Sequence, residues 1–293
     1  MIIATSQLTK RYGNQLALDD LALEIGEGEV FGYLGPNGAG KTTTIRLLLG
    51  FLSPTAGSAR VFGRDAWRDS VSIHRRVGYV PGEVRLYDYL TGAELLRLLS
   101  RLRRVECSAQ WEELAQRLQL DLGKRIRAYS RGMKQKLGLI QALMHQPQLI
   151  ILDESTTGLD PLMQQELYEI LRERKQDGAT VFFSSHNLSE VEKLCDRVGI
   201  VRGGKLVALE SVADLQQRKV RRVEVVFADG VGGAAVELPN ATLTAQRGRH
   251  FVFTVRGSID SFVKSLAQLA VEELTIEPPG LEERFFEFYR DDA

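Results

Sequence analysis

Two short runs carry most of the chemistry this chain could perform. The first, Gly35-Pro36-Asn37-Gly38-Ala39-Gly40-Lys41-Thr42, has the pattern G-x-x-x-x-G-K-[ST], with Thr43 directly after it. Its glycines let the backbone curl until several N–H groups point inward, and such a nest at a helix start holds anions, phosphates above all. In that cradle Lys41 reaches the β- and γ-phosphates of a nucleotide and Thr42 offers its hydroxyl to Mg²⁺. The second run, Leu149-Ile150-Ile151-Leu152-Asp153-Glu154, ends four apolar residues in a pair of carboxylates. Those acids fall at the carboxyl end of a buried strand, where α/β folds bind ligands. Asp153 is placed to hold Mg²⁺ through its water shell, and Glu154 to act as general base on an attacking water.

Both runs need a scaffold of strands that end at one edge. Short β-rich stretches alternate with helical ones through the first two-thirds of the chain, the pattern of an α/β domain with a mostly parallel sheet. The strand expectations are 30–34, 77–80, 148–153, 180–184 and 198–202, and helices are expected to begin at Lys41, Arg131 and Pro161. The phosphate-binding run follows the strand Val30–Leu34, as its pattern requires. Between Leu90 and His145 the strand signal fades and leucines recur at helical spacing. This stretch reads as a helical insertion (about 84–145), with Leu95, Leu96, Leu98, Leu99 and Leu102 expected in its packing. After residue 214 the character changes. RRVEVVF and HFVFTV read as strands, SIDSFVKSLAQLA and LEERFFEFYR as helices, and DGVGGA as a Gly-rich turn. The expectation is a core domain over 1–214 and a small α+β domain over 215–293.

The order of further motifs narrows the class. Tyr129-Ser130-Arg131-Gly132-Met133-Lys134-Gln135-Lys136 precedes the acidic strand, and Gly158-Leu159-Asp160 and then His186, in VFFSSHNLSEVEKL, follow it. Phosphate loop, signature, acidic strand, this Asp and a lone His succeed one another as in the ABC ATPases, which residues 1–210 resemble. The resemblance implies a P-loop NTPase core with a mostly parallel sheet, an antiparallel N-terminal β subdomain and a helical insertion. It implies that Tyr12 stacks on the adenine of ATP, while Gly35, Pro36, Asn37, Gly38, Ala39, Gly40, Lys41, Thr42 and Thr43 hold the phosphates. Ser130 and Gly132 would bind the γ-phosphate of ATP carried mainly by the opposite subunit of a homodimer. Asp160 would lie on the loop crossing that interface, and His186 would contact the γ-phosphate and support Glu154.

The sequence also departs from the family pattern. Where a glutamine usually follows the proline of GYVPGE stands Gly82, then Glu83. Glycine has no side chain with which to bind Mg²⁺ or position water, which leaves Glu83 as the candidate substitute. Arg131 and Met133 replace a Gly and a Gln, and Ser155 stands where Pro is common. The variants SRGMKQ and YVPGE, with Pro279-Gly280-Leu281-Glu282-Glu283 near the C-terminus, are similar to exporter ATPases encoded apart from their permeases.

Composition agrees with this class and excludes others. Lys plus Arg and Asp plus Glu number 38 each, so overall charge gives no argument for a nucleic-acid partner. Cys107 and Cys195 lie far apart and outside any metal-ligand spacing, which suits a reducing cytosol. No segment approaches the roughly 20 apolar residues needed to cross a bilayer. A transport role therefore requires membrane helices from a separate permease, with this chain peripheral on the inner, cytoplasmic face. The rival reading is a non-transport ABC ATPase acting on ribosomes or DNA. It lacks the second cassette, coiled coil or zinc cysteines those proteins usually carry. A small-molecule kinase or GTPase is disfavoured by the signature serine and by the absence of an N-K-x-D run.

Overall fold

The structure, a computed structural model, describes residues 1–217, 220–228, 238–257 and 259–277. It divides into two compact units, Met1–Glu210 and Ser211–Ala293.

In the first unit β1 (Ile3–Tyr12) and β2 (Gln15–Ile25) form an antiparallel pair, followed by β3 (Val30–Leu34) and α1 (Lys41–Leu48). Next come β4 (Ala56–Val61), β5 (Arg64–Asp65), α2 (Ser70–His74) and β6 (Val77–Val80). The insertion holds α3 (Gly92–Arg103), α4 (Ser108–Arg117), a short 3₁₀ turn at Ile126–Ala128 and α5 (Arg131–Leu143). The chain then returns through β7 (Leu149–Asp153), α6 (Pro161–Gln176), β8 (Thr180–Ser185), α7 (Leu188–Leu194), β9 (Arg197–Arg202) and β10 (Lys205–Ser211).

The central sheet runs β10-β9-β3-β8-β7-β6, and β3, β6, β7, β8 and β9 pair in parallel. Its inner strands are buried along their whole length, as in VFGYL, LIILD and TVFFSS. Continuous apolar runs are what a parallel sheet covered on both faces demands. The second sheet, β2-β1-β4-β5, is antiparallel and shares one apolar core with the first, in which Phe31, Tyr33 and Phe182 are fully buried. At roughly 1.5–3 kcal/mol for each large side chain so buried, this core dominates the stability of the unit.

The strands end together, so the segments following β3, β7 and β8 converge at one edge. Among the contacts that tie the insertion down are these. Gly78 lets α5 lie directly on β6, where an added Cβ would meet Ala142 O at 2.1 Å. Arg117 of α4 reaches Glu166 of α6 at 2.6 Å and also binds Glu173, a planar fork well suited to carboxylates.

The expected strands and helix starts in this unit agree to within one residue. The leucine expectation needs correction: Leu95 and Leu96 are buried, but Leu98 is 40% and Leu102 72% exposed. α3 is capped at both ends, by a Thr91–Glu94 capping box and a left-handed Arg104, so its orientation is fixed by Leu95, Leu96 and Ser100 facing inward. Leu98 and Leu102 are left on the outer side, and Leu99 is half-buried. Cys107 and Cys195 are both buried free thiols.

The second unit contains α8 (Val212–Gln217), β11 (Val220–Phe227), β12 (Ala241–Arg247), β13 (His250–Arg256), α9 (Ile259–Leu266) and β14 (Val271–Glu277). Its sheet runs β12-β13-β11-β14, antiparallel throughout, and the Phe262 ring of α9 packs edge-on against Phe253 of β13 at 5.8 Å. The strands in RRVEVVF and HFVFTV and the helix in SIDSFVKSLAQLA are present. The expected turn DGVGGA, the helix LEERFFEFYR and the stretch Pro279–Glu283 lie outside the described residues.

Candidate functional site

The loop between β3 and α1 is shaped by its glycines. Gly38 and Gly40 have φ of 82° and 104°, and a Cβ on Gly40 would lie 2.7 Å from Ala17 O. Only glycine meets both the dihedral and the space there. The turn after β9 braces the loop from outside, with Gly204 N donating to Ala39 O at 3.1 Å. Thr44 of α1 packs against β3 through a 3.0 Å hydrogen bond with the Tyr33 hydroxyl.

Lys41 is buried, and its Nζ donates to Gly35 O at 2.6 Å and Pro36 O at 3.1 Å. The same ammonium lies 3.1 Å from Glu154 Oε1. Thr42 Oγ1 donates to Asp153 Oδ2 at 2.9 Å. Asp153 Oδ1 is buried without a hydrogen-bond partner. Burial raises the Asp153 pKa, against the opposing effects of the Thr42 hydrogen bond and the nearby Ser184 hydroxyl.

A Mg²⁺ ion fits this donor set. The Thr42 hydroxyl and an unsatisfied carboxylate oxygen are hard ligands, and a buried carboxylate kept from full solvation gains from a cation. Among the described residues no cluster of three or more His, Cys, Asp or Glu could hold a metal.

Glu154 follows β7 with φ of 50°, a left-handed conformation that costs a non-glycine residue of order 1–2 kcal/mol. Strain of that kind tends to concentrate at functional sites. His186 follows β8, half-exposed, with Nδ1 3.4 Å from Glu154 Oε2. A cavity of about 560 Å³ is lined by Asn37, Gly38, Gly40, Lys41, Thr42, Thr43, Asp153 and Glu154, and His186 is not among its lining residues. Tyr12, at the end of β1, also lines it.

Sequence reasoning missed four further lining residues, Gln15, Leu16, Ala17 and Gly203. They arrive from the start of β2 and the β9–β10 turn. Nothing in their local sequence marks them, because only tertiary packing brings them to the loop.

Gly82 also lines the cavity, and a Cβ there would sit 3.1 Å from Asp153 O. Glu83 does not line it. It faces the neighbouring groove, exposed, in a 3.1 Å ion pair with Arg85, so this geometry does not favour Glu83 as a substitute for the missing glutamine.

The signature residues stand apart. Ser130 caps α5, its Oγ accepting from Met133 N at 3.3 Å, and it is exposed. Neither Ser130 nor Gly132 lines the cavity. Gly132 instead approaches Gly158, where an added Cβ would meet Gly158 O at 2.7 Å. Gln135, one turn on, is buried and donates to Ser155 O at 2.8 Å. Asp160 is exposed and caps α6 through Met163 N, with Pro161 at the first helical position.

A parallel sheet, a glycine-shaped loop before a helix, and a Thr–Asp pair beneath it define a P-loop nucleotide-binding protein. Comparison with known proteins is more specific. Residues 18–157 match the family described as ABC transporter. The bacitracin transport ATP-binding protein of Bacillus licheniformis is 39% identical over 231 residues, covering 78% of this chain and 76% of that protein. A daunorubicin resistance ATP-binding protein of Streptomyces coeruleorubidus is 34% identical over 298 residues, covering 97% and 94%. A solved ATP-binding subunit of an ABC transporter matches with a TM-score of 0.69 at 31% identity, over 74% of this chain and 92% of that one. A dimeric ATP-binding cassette in a post-hydrolysis state, bound to ADP and Pi, shares the fold with a TM-score of 0.65 at 23% identity, over 72% and 99%. The chain belongs to the ABC transporter family, as an ATP-binding subunit with ATPase activity.

Proposed function

We propose that two copies of this chain close head to tail around two ATP molecules and use their hydrolysis to drive export through a separate membrane permease. The observation that supports this most directly is the separation of Ser130 from the cavity that contains Lys41, Asp153 and Glu154. A helix N-terminus capped by an exposed serine is suited to anions, yet here it does not face the chain's own phosphate loop. A second copy supplying Ser130 and Gly132 would complete each site, with Asp160 on the crossing loop.

In the closed site each side chain has a distinct task. Tyr12 stacks on the adenine, and the backbone from Gly35 to Thr43 cradles the phosphates. Lys41 offers its ammonium to the β- and γ-phosphates, releasing Glu154 from their 3.1 Å contact. Thr42 and Asp153 would hold Mg²⁺, whose chemistry when bound is to neutralise phosphate charge. Glu154 accepts the proton of the attacking water, and His186, 3.4 Å away, orients it and contacts the γ-phosphate. With Gly82 offering no side chain, water positioning falls on Glu154 and His186. Closure excludes bulk water and draws the insertion inward.

Among the described residues no helix is long and apolar enough to cross a membrane, which supports a permease as a separate chain and a place for this subunit on the inner membrane face. The bacitracin and daunorubicin names of two relatives support amphiphilic, drug-like cargo.

The test is the dependence of ATPase rate on protein concentration, with and without Ser130→Ala. Shared sites give a rate per subunit that rises with concentration, and Ser130→Ala lowers turnover while nucleotide still binds the single subunit. A constant rate per subunit down to concentrations where only monomer exists would refute the shared site.

A further inference from the structure

One carboxylate close to His186 has no task in the cycle proposed above. Glu190 lies in the first turn of α7, whose Leu188, Val191 and Leu194 are buried. Their spacing turns one face of this short helix towards the sheet. The packing is tight, since a Cβ on Gly32 of β3 would lie 2.9 Å from Val191 Cγ1. Glu190, the residue before Val191, is therefore carried by a backbone with little room to shift. Its side chain is half-buried and accepts the Ser185 hydroxyl proton at 2.5 Å. Among the described residues no Lys, Arg or His pairs with Glu190, and this is the one hydrogen bond its carboxylate takes.

Ser185 is the residue before His186. Its Oγ also accepts from Asn187 N at 2.9 Å, closing a turn from the residue before the histidine to the residue after it. Asn187 in turn caps α7, its side-chain oxygen accepting from Ser189 N at 3.0 Å. A serine hydroxyl has one proton to give. The Asn187 carbonyl, 3.3 Å from Ser185 Oγ, competes for it. The carboxylate wins, because a short O–H···O⁻ bond is charge-assisted and about twice as strong as a neutral one. With its proton committed to Glu190, Ser185 Oγ is left to accept from Asn187 N. His186 is thus the exposed middle of a segment fixed at both ends, and its Nδ1 lies 3.4 Å from Glu154 Oε2.

We propose that Glu190 is a positioning residue for hydrolysis: through Ser185 it fixes the turn around His186, so that the imidazole meets Glu154 and the γ-phosphate in one orientation. Glu190 does not line the nucleotide cavity, so its effect passes through its neighbours. The inference rests on the role proposed for His186 and extends it by one link, from that histidine back to a rigid helix.

The test is a double-substitution cycle in the full-length chain, with kcat and KM for ATP measured beside thermal unfolding. A small misplacement of a reacting group lowers the rate by up to about a hundredfold, so Glu190→Ala should lower kcat roughly tenfold. The ratio kcat/KM should fall by the same factor, the mark of an interaction made only in the transition state. Glu190→Gln, whose amide oxygen still accepts, should recover most of the rate. His186→Ala should lower kcat at least as far as Glu190→Ala. Adding Glu190→Ala to it should then change the rate by less than about twofold, because a residue that acts only through His186 has nothing left to place. Losses that multiply, or a folded Glu190→Ala variant as fast as the parent, would overturn the proposal and leave His186 in its role. A His186→Ala variant as fast as the parent would overturn both. If Glu190→Ala does not fold, Ser185→Ala breaks the same link and takes its place in the cycle, with the same outcomes deciding.

Discussion

The contact between Lys41 and Glu154 sets up a competition that substitution at Glu154 exposes. Their charged atoms are 3.1 Å apart, with Lys41 buried and Glu154 partly so. At an effective dielectric constant of ~20 their attraction is roughly 5 kcal/mol. Desolvation and side-chain ordering offset most of that, leaving on the order of 1 kcal/mol for a pair whose acid still touches solvent. An entering phosphate must displace this contact, and it also meets the Glu154 carboxylate as a like charge. Glu154→Gln removes both obstacles while keeping the side chain's shape. ATP affinity of the single subunit should then rise about fivefold, the equivalent of ~1 kcal/mol. Phosphate release should fall by roughly 10²–10⁴, the usual weight of a general base. Titration with a fluorescent ATP analogue reads the first effect and single-turnover phosphate release the second. Unchanged or weaker affinity in a folded variant refutes the competition, and release within tenfold of the parent removes Glu154 as base.

Gly132→Ala should slow ATP turnover and cost about 1–3 kcal/mol of stability in thermal unfolding, because its Cβ would lie 2.7 Å from the backbone oxygen of Gly158. Parent-like stability and rate would show that the two loops part freely. His145, whose Nε2–H donates to Val77 O at 3.2 Å and whose Nδ1 is buried without a partner, has its pKa lowered to about 4 by burial and then by Arg103. A histidine neutral in the fold but protonated when unfolded makes stability rise with pH between about 4 and 6.5, and fall as the solution is acidified through that window. The effect is at most about 3 kcal/mol, less whatever partial solvent contact screens. His145→Gln should flatten the slope of urea stability between pH 6.5 and 4.5, whereas an unchanged slope would assign the acid sensitivity elsewhere.

Much of the site was legible because its signals are local. Lys41, Arg131 and Pro161 begin helices as expected, since a glycine loop, a serine cap and an Asp-Pro pair each act within a turn of chain. The inner strands were legible from apolar runs that only a doubly covered sheet requires. Strands without such a signal were not. β12, ATLTAQR, lies at a sheet edge with most of its side chains exposed, and β5 is two residues long. The edge strand β14, VEELTIE, gave no clear apolar run. Periodicity misplaced Leu98 and Leu102 because a wide leucine stripe does not say where the buried arc stops. Gly203 and the Gln15–Ala17 wall were invisible for a different reason: they reach the cavity through pairing between segments far apart in sequence. The role of Glu83 was open in sequence, and its exposed pairing with Arg85 turns it towards the groove.

One buried amide bears on how force could pass through the subunit. Gln135 belongs to the helix headed by Ser130, yet it grips the main chain of Ser155, the neighbour of Glu154. The start of α5 and the hinge of the hydrolytic acid are therefore stitched together by a bond shielded from water, where swapping partners is slow and costly. A tug on the insertion from above would tilt the acid below, and a change at the acid would be felt above with equal strength, since thermodynamic coupling has no preferred direction. The position of the insertion and the position of the acid are thereby linked through a buried amide.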